Sequence, residues 1–237
     1  MLTKKIMLGV AALGLSSLVT ANAFAAAPGF YVGGQLGYGN VHQSDISRTD
    51  MNDLIGSAVG NNKFTVNSFN NSGKDTGLAG RLFAGYQVNS NWAGELGWSK
   101  FSTMNTKASA TATDNNPGGS TVTANARGNI KTDAVDLVAK GIYPLQNNVS
   151  VYGKVGAAYI MSRAHASASA SEAGVTVSGS GSKNSHKIFP TVGVGASYDF
   201  TSNVAADLSY NRIQKVGSSS NIGSTDLVSV GLTYYIG

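Results

Sequence analysis

The chain has 237 residues, of which 42% are hydrophobic and only 12% charged, with 30 glycines, 4 prolines and no cysteine. The missing cysteine excludes a disulfide framework and thiolate metal sites, and a formal charge of +5 is too weak a bias to argue for a nucleic-acid partner. Beyond the N-terminal segment no apolar run reaches the roughly 18 residues of a membrane helix, so only a closed barrel could carry this backbone through lipid with its polar groups paired.

The first residues read as a cleavable export signal. Lys4 and Lys5 supply the positive region, Ile6 to about Val19 the apolar stretch, and Ala23-Phe24-Ala25 the small-x-small cleavage pattern. We place cleavage after Ala25, with Ala21-Asn22-Ala23 as a second site. A membrane anchor is disfavoured because the run is short and Pro28 and a glycine-rich stretch follow at once. Residues 1–25 are thus expected to be a signal peptide and residues 26–237 a single β-barrel domain; loss of Lys4 and Lys5 lowers the formal charge from +5 to +3.

In chain order, alternation with a period of two predicts eight strands at 29–40, 76–88, 91–103, 131–143, 149–163, 187–199, 203–213 and 226–236. In the first, Phe30, Val32, Leu36 and Tyr38 oppose Tyr31, Gly33, Gln35 and Gly37. Short turns fall at Asn89-Ser90, Pro144 to Asn148 and Thr201-Ser202, and long segments at 41–75, 104–130, 164–186 and 214–225. The expected fold is all-β: an eight-stranded antiparallel up-and-down transmembrane β-barrel with four long extracellular loops and three short periplasmic turns. Lys107–Arg127 and Ala164–Ser185 alternate small apolar with hydroxyl residues, which predicts hairpins continuing above the membrane, with tips near Asn115–Gly119 and Glu172–Gly174. Residues 41–75 show no clear period, although Met51–Val59 suits a short helix.

Soluble barrels alternate too, with the apolar face inward. Aromatic placement favours the inverse. Phe30, Tyr86, Trp92, Tyr143, Tyr198 and Tyr234 fall at the turn end of the apolar parity, and Tyr38, Trp98, Tyr159 and Tyr210 towards the loop end. Two aromatic girdles bracketing an aliphatic belt suit the two interfaces of a bilayer. The opposite parity carries Arg81, Glu95, Asp136, Lys140, Lys154 and Asp207, three basic and three acidic residues that would have to pair inside a narrow lumen. Glycines on that parity, Gly33, Gly85, Gly97 and Gly195 among them, are expected to leave room for long side chains and water.

The stretches Phe83-Ala84-Gly85-Tyr86-Gln87-Val88-Asn89 leading into Glu95-Leu96-Gly97-Trp98, and Val138-Ala139-Lys140-Gly141-Ile142-Tyr143-Pro144 leading into Val151-Tyr152-Gly153-Lys154-Val155-Gly156, resemble the transmembrane barrel of the outer-membrane protein A family and its small opacity-type relatives. The resemblance implies location in the bacterial outer membrane and a lumenal carboxylate gated against basic residues. Glu95, Lys140 and Lys154 match those positions in type, whereas Asp207 stands where the family places an arginine and Ser197 where it places a glutamate. It also implies that the peptidoglycan-binding domain of longer members is missing here.

Lys74, Lys100, Lys131, Arg163 and Arg212 lie on the outward parity near the loop ends, where lipopolysaccharide phosphates would attract them. The expected partners are outer-membrane lipid and lipopolysaccharide, the outer-membrane assembly machinery, and host or environmental surface ligands, but no nucleic acid, for a monomer. No cofactor, metal or catalytic residue is expected: His42, His165 and His186 are scattered over the loops without metal-ligand spacing. Two functions fit this pattern. One is a structural envelope barrel with at most a narrow solute pore; the other is an adhesin or ligand-binding protein acting through its loops.

Overall fold

The structure, a computed structural model, describes residues 28–42, 47–59, 64–114, 120–216 and 223–236. The expected signal peptide and the Asn115–Gly119 tip lie outside the described residues. Ten strands and one helix follow one another: β1 (Gly29–Val41), α1 (Arg48–Val59), β2 (Phe64–Lys74), β3 (Thr76–Asn89), β4 (Trp92–Phe101), β5 (Met104–Asp114), β6 (Thr121–Pro144), β7 (Val149–Glu172), β8 (Val175–Asp199), β9 (Val204–Ile213) and β10 (Thr225–Ile236).

Eight of the strands close into an antiparallel ring, β6-β4-β3-β1-β10-β9-β8-β7 and back to β6. Following the register from Tyr31 through Gly85, Glu95, Val138, Gly156, Thr191, Ile213 and Thr225 returns the path to Val41, ten residues further along β1. That stagger gives the strands the steep tilt of small barrels, about 35–45°. Short turns join the strands at one end by local chemistry. Asn89 Oδ1 accepts from the backbone N–H of Asn91 and Trp92, both at 2.9 Å. Thr201 Oγ1 does the same for Asn203 and Val204. Asn147 and Asn148 sit at φ 59° and 61°, where asparagine is among the few side chains tolerated.

At the other end β6, β7 and β8 do not stop at the membrane. Their upper halves, with β5 and β2, form a sheet in the order β2-β5-β6-β7-β8. The two hydroxyl-rich hairpins are thus ordered strands, and β7 turns into β8 at Ala173-Gly174, both with positive φ. Strand β2 is an addition to the sequence-based expectation. Its polar, bulged run, with a register shift between Val66 and Ser68, hides the period of two. Helix α1 begins at Arg48, three residues before the predicted start, because Ser47 and Asp50 cap it: Ser47 N–H and Oγ–H donate to Asp50 Oδ2 at 2.7 and 2.8 Å, and Asp50 N–H donates to Ser47 Oγ at 3.1 Å. Met51 and Ile55 of α1 are buried against Ala108, Ala110, Ala112, Val122, Ala124 and Ala170 of the sheet.

Within the ring the apolar parity faces outward. Leu36 is 73% exposed and Leu137 67%, whereas Glu95 is 1% exposed and Arg81 3%. A soluble barrel would show the reverse.

Candidate functional site

The inward side chains form layers. Nearest the short turns lie Tyr31, Phe83 and Ala93, with Ile142 and Tyr235 against them. Above them comes a charged layer that brings all six expected lumenal residues inside, each 7% exposed or less. Glu95, from β4, is its hub. Its Oε1 lies 2.7 Å from Arg81 Nη2 and 2.8 Å from Lys154 Nζ, and its Oε2 accepts from Tyr31 OH at 3.2 Å. Arg81 reaches on to Asp136 Oδ1 at 2.7 Å. These positions converge because the register sets Gly85 beside Glu95 and Gly97 beside Asp136, leaving space over both glycines.

Asp207 forms a second group. Its Oδ2 accepts from Tyr152 OH at 2.5 Å and its Oδ1 from Gln35 Nε2. Lys140 has no carboxylate within ion-pair distance among the described residues. Its Nζ lies 4.2 Å from the ring centroid of Tyr152 and 5.6 Å from that of Tyr31, and Lys154 is its cross-strand neighbour. The rings accommodate an ammonium by cation–π attraction. Tyr31, Gln35 and Tyr152 were missed as network members, although all three sit on the inward parity and were findable by it.

Two further features show how the narrow lumen is filled. The inward glycines are seats for side chains: a Cβ on Gly33 would strike the Phe83 ring, on Gly85 the Tyr31 ring, on Gly195 the Tyr152 ring, and on Gly97 the Arg81 guanidinium. Above the charges, Val41, Phe101, Ile160, Phe189, Ile213 and Leu227 form an apolar layer across the outer mouth. The space left beside Arg81, Asp136 and Lys154 is about 20 Å³, room for about one water molecule. Arg81, whose Nη1 has no protein partner among the described residues, lines it.

All ten aromatics expected in girdles are outward and at least 38% exposed. Phe30 and Tyr86 meet edge-on, with centroids 4.9 Å apart. Of the rim cations, Lys100, Lys131 and Arg163 are exposed, and among the described residues no carboxylate comes within ion-pair distance of them. Arg212 differs: its Nη1 lies 3.2 Å from Asp226 Oδ1, which also accepts from Tyr210 OH at 2.6 Å. The Lys74 side chain lies outside the described residues.

A closed antiparallel ring with an apolar outer wall and a charged, filled interior defines a β-barrel that sits in membrane lipid. The chain belongs to the OmpA-like transmembrane domain family, which it matches over residues 25–237, and it is a protein of the bacterial outer membrane. It is 30% identical over 227 residues to an uncharacterized protein of Coxiella burnetii (strain RSA 493 / Nine Mile phase I), covering 87% of this chain and 84% of that one. It is 25% identical over 211 residues to Outer membrane protein A of Klebsiella pneumoniae, covering 88% of this chain and 51% of that one. The chain spans about half the length of the Outer membrane protein A relatives it matches. Among solved structures it is similar to the outer membrane protein OprG from Pseudomonas aeruginosa, with a TM-score of 0.48 at 11% identity, covering 91% of this chain and 100% of that one.

Proposed function

We propose that this barrel is a structural component of the outer membrane whose lumen does not conduct. The carrying observation is the lumen itself, where the pocket beside Arg81, Asp136 and Lys154 holds about 20 Å³ and an apolar layer lies above it. An ion crossing that mouth would shed most of its hydration among Phe101, Phe189 and Leu227, with only scattered hydroxyls such as those of Thr191 and Thr225 in exchange. On this reading the lumenal charges fill the barrel and are not a gate: Arg81, Glu95, Asp136 and Lys154 pair with one another, while Asp207 is held by Tyr152 and Gln35 and Lys140 by the rings of Tyr152 and Tyr31. Purified protein in planar lipid bilayers should give no discrete openings; reproducible unitary steps would overturn the reading.

The same reading assigns roles to the wall. The ten outward aromatics act as two interfacial girdles, and Lys100, Lys131 and Arg163 meet lipopolysaccharide phosphates at the rim. Arg212 contributes little there because Asp226 already neutralises it. The protein is exported by the signal at residues 1–25, inserted by the outer-membrane assembly machinery and monomeric in the membrane; catalysis forms no part of this role.

A second reading, binding of host or environmental ligands, is favoured by the extracellular sheet. With α1 it has a hydrophobic core of its own, so it presents a rigid surface. Deleting residues 48–74 should then abolish attachment to that ligand while the barrel still inserts.

A further inference from the structure

The sheet that rises from β6, β7 and β8 has two unlike faces. On β5, upper β6 and upper β7 its inner face is mainly alanine and valine, and Met51 and Ile55 of α1 pack against it. Its outer face continues the lipid-facing parity of the barrel, so on β6 Arg127 and Lys131 stand in line above Leu137. That face carries no aliphatic side chain on β5 or upper β6: it reads Asn105, Lys107, Ser109, Thr111 and Thr113 on the first and Thr121, Thr123, Asn125, Arg127 and Asn129 on the second.

Within it, the register sets Lys107 directly against Arg127 across β5 and β6. Like charges opposite one another in a sheet, with Cβ atoms about 5 Å apart, repel. Among the described residues no carboxylate approaches either of them within ion-pair distance. Both line a groove of about 200 Å³ together with Asn70, Ser72, Ser109 and Asn125. Sites that engulf a drug-sized ligand measure roughly 300–1,000 Å³, so this groove would hold one unit of a longer molecule. Besides Ala108 and Ala126, its lining is two cations among hydroxyls and amides, with no aromatic ring. Arginine offers a fork for phosphate or carboxylate, and the serines and asparagines can both give and take hydrogen bonds with sugar hydroxyls.

We propose that Lys107 and Arg127, with Asn70, Ser72, Ser109 and Asn125, form a binding site for a phosphate- or carboxylate-bearing sugar of the glycolipid that surrounds the barrel. The location selects that source. The groove lies on the face that continues the barrel's lipid-facing parity, and Arg127 stands four residues above Lys131 on that face of β6, about 13 Å along the strand. It therefore meets saccharide, whereas the rim meets headgroup. The inference rests on the outer-membrane placement and stands without the headgroup contact proposed for Lys131 and Arg163.

The test uses the whole protein in nanodiscs, titrated with three probes: de-acylated phosphorylated lipopolysaccharide oligosaccharide, dextran sulfate as an external polyanion, and neutral dextran. The oligosaccharide should bind and dextran should not. Lys107→Glu/Arg127→Glu should weaken the oligosaccharide about tenfold or more, as loss of charge-assisted hydrogen bonds implies. Lys107→Gln/Arg127→Gln, which adds no repulsion, should weaken it about fivefold or more. Lys183→Glu/Lys187→Glu, exposed on the opposite face of the sheet, should change it by less than about threefold, which separates this site from a general effect of net charge. Each variant must keep its heat-dependent gel shift. Unchanged affinity in the folded Gln pair overturns the site. Dextran sulfate binding more tightly than the oligosaccharide through Lys107 and Arg127 overturns the glycolipid source.

Discussion

The membrane ring and the extracellular sheet share three strands and solve opposite problems. In the ring the outward residues meet hydrocarbon, so Leu137 is bare while Asp136 and Lys140 are buried. Higher on the same strand Val122 and Ala124 are fully buried beneath α1, and Thr121 and Thr123 are exposed. The parity of β6 never changes; what changes is which parity is apolar. The crossover falls at Ala134 and Ile130, where inward side chains join the apolar layer over the lumen. A single strand thus passes from an inverted, membrane-type arrangement to an ordinary soluble one, and the sign of its alternation records the medium outside it.

The contrast can be broken from either side. The largest effect is expected from Glu95→Ala, which strips Arg81 and Lys154 of a shared buried carboxylate. We expect a loss of about 3–5 kcal/mol, read as a lower urea midpoint in detergent and a gel shift at lower temperature, with the extracellular sheet unaffected. Ile55→Ala should cost about 2–4 kcal/mol, but only in the α1 core. Proteolysis and amide exchange in α1 and β2 should accelerate while the heat-dependent shift of the barrel is unchanged. Were the barrel to weaken equally, the two regions would be one cooperative unit.

Gly156→Ala is a smaller test of the ring. A Cβ there would strike the backbone carbonyl of Leu137, which cannot rotate away, so overpacking of about 1–3 kcal/mol is expected in unfolding measurements. The smallest effect belongs to pH at the α1 cap. Hydrogen bonds from the Ser47 backbone and hydroxyl hold the Asp50 carboxyl below its ordinary range. A depressed folded value means the cap stabilises above the unfolded aspartate value of roughly 4 and loses its contribution as pH falls through the lower folded value. Fraying of the first turn of α1 on acidification, followed by NMR, should vanish in Asp50→Asn.

Alternation was readable wherever one face meets lipid, which is why β1, β3, β4, β9 and β10 begin and end within about two residues of their predicted limits. The six inward charges were readable for the same reason. The upper parts of β6, β7 and β8 showed only a hydroxyl rhythm, because a small sheet buries alanine on one side and needs no bulky residue there. Strand β2 was not readable at all, since Asn67, Ser68, Asn70 and Asn71 carry no apolar period and pairing with β5 alone defines it. The partners of the charges needed three dimensions. Tyr152 reaches Asp207 from a strand two places round the ring, and the apolar layer gathers single residues from most of the strands.

The first and last strands of the chain are neighbours, paired without a break from Phe30 against Ile236 to Val41 against Thr225. That seam joins segments nearly the whole chain apart, the slowest kind of contact to form. Until it closes, two rows of unpaired amides and carbonyls face whatever surrounds the protein. Hydrocarbon would charge several kcal/mol for each, and another open edge would pair with them. Completion of β10 is therefore the committing event of assembly. A chain shortened within Val228 to Tyr234 would be a half-zipped sheet exposed to aggregation and degradation, whatever the quality of the other seven strands.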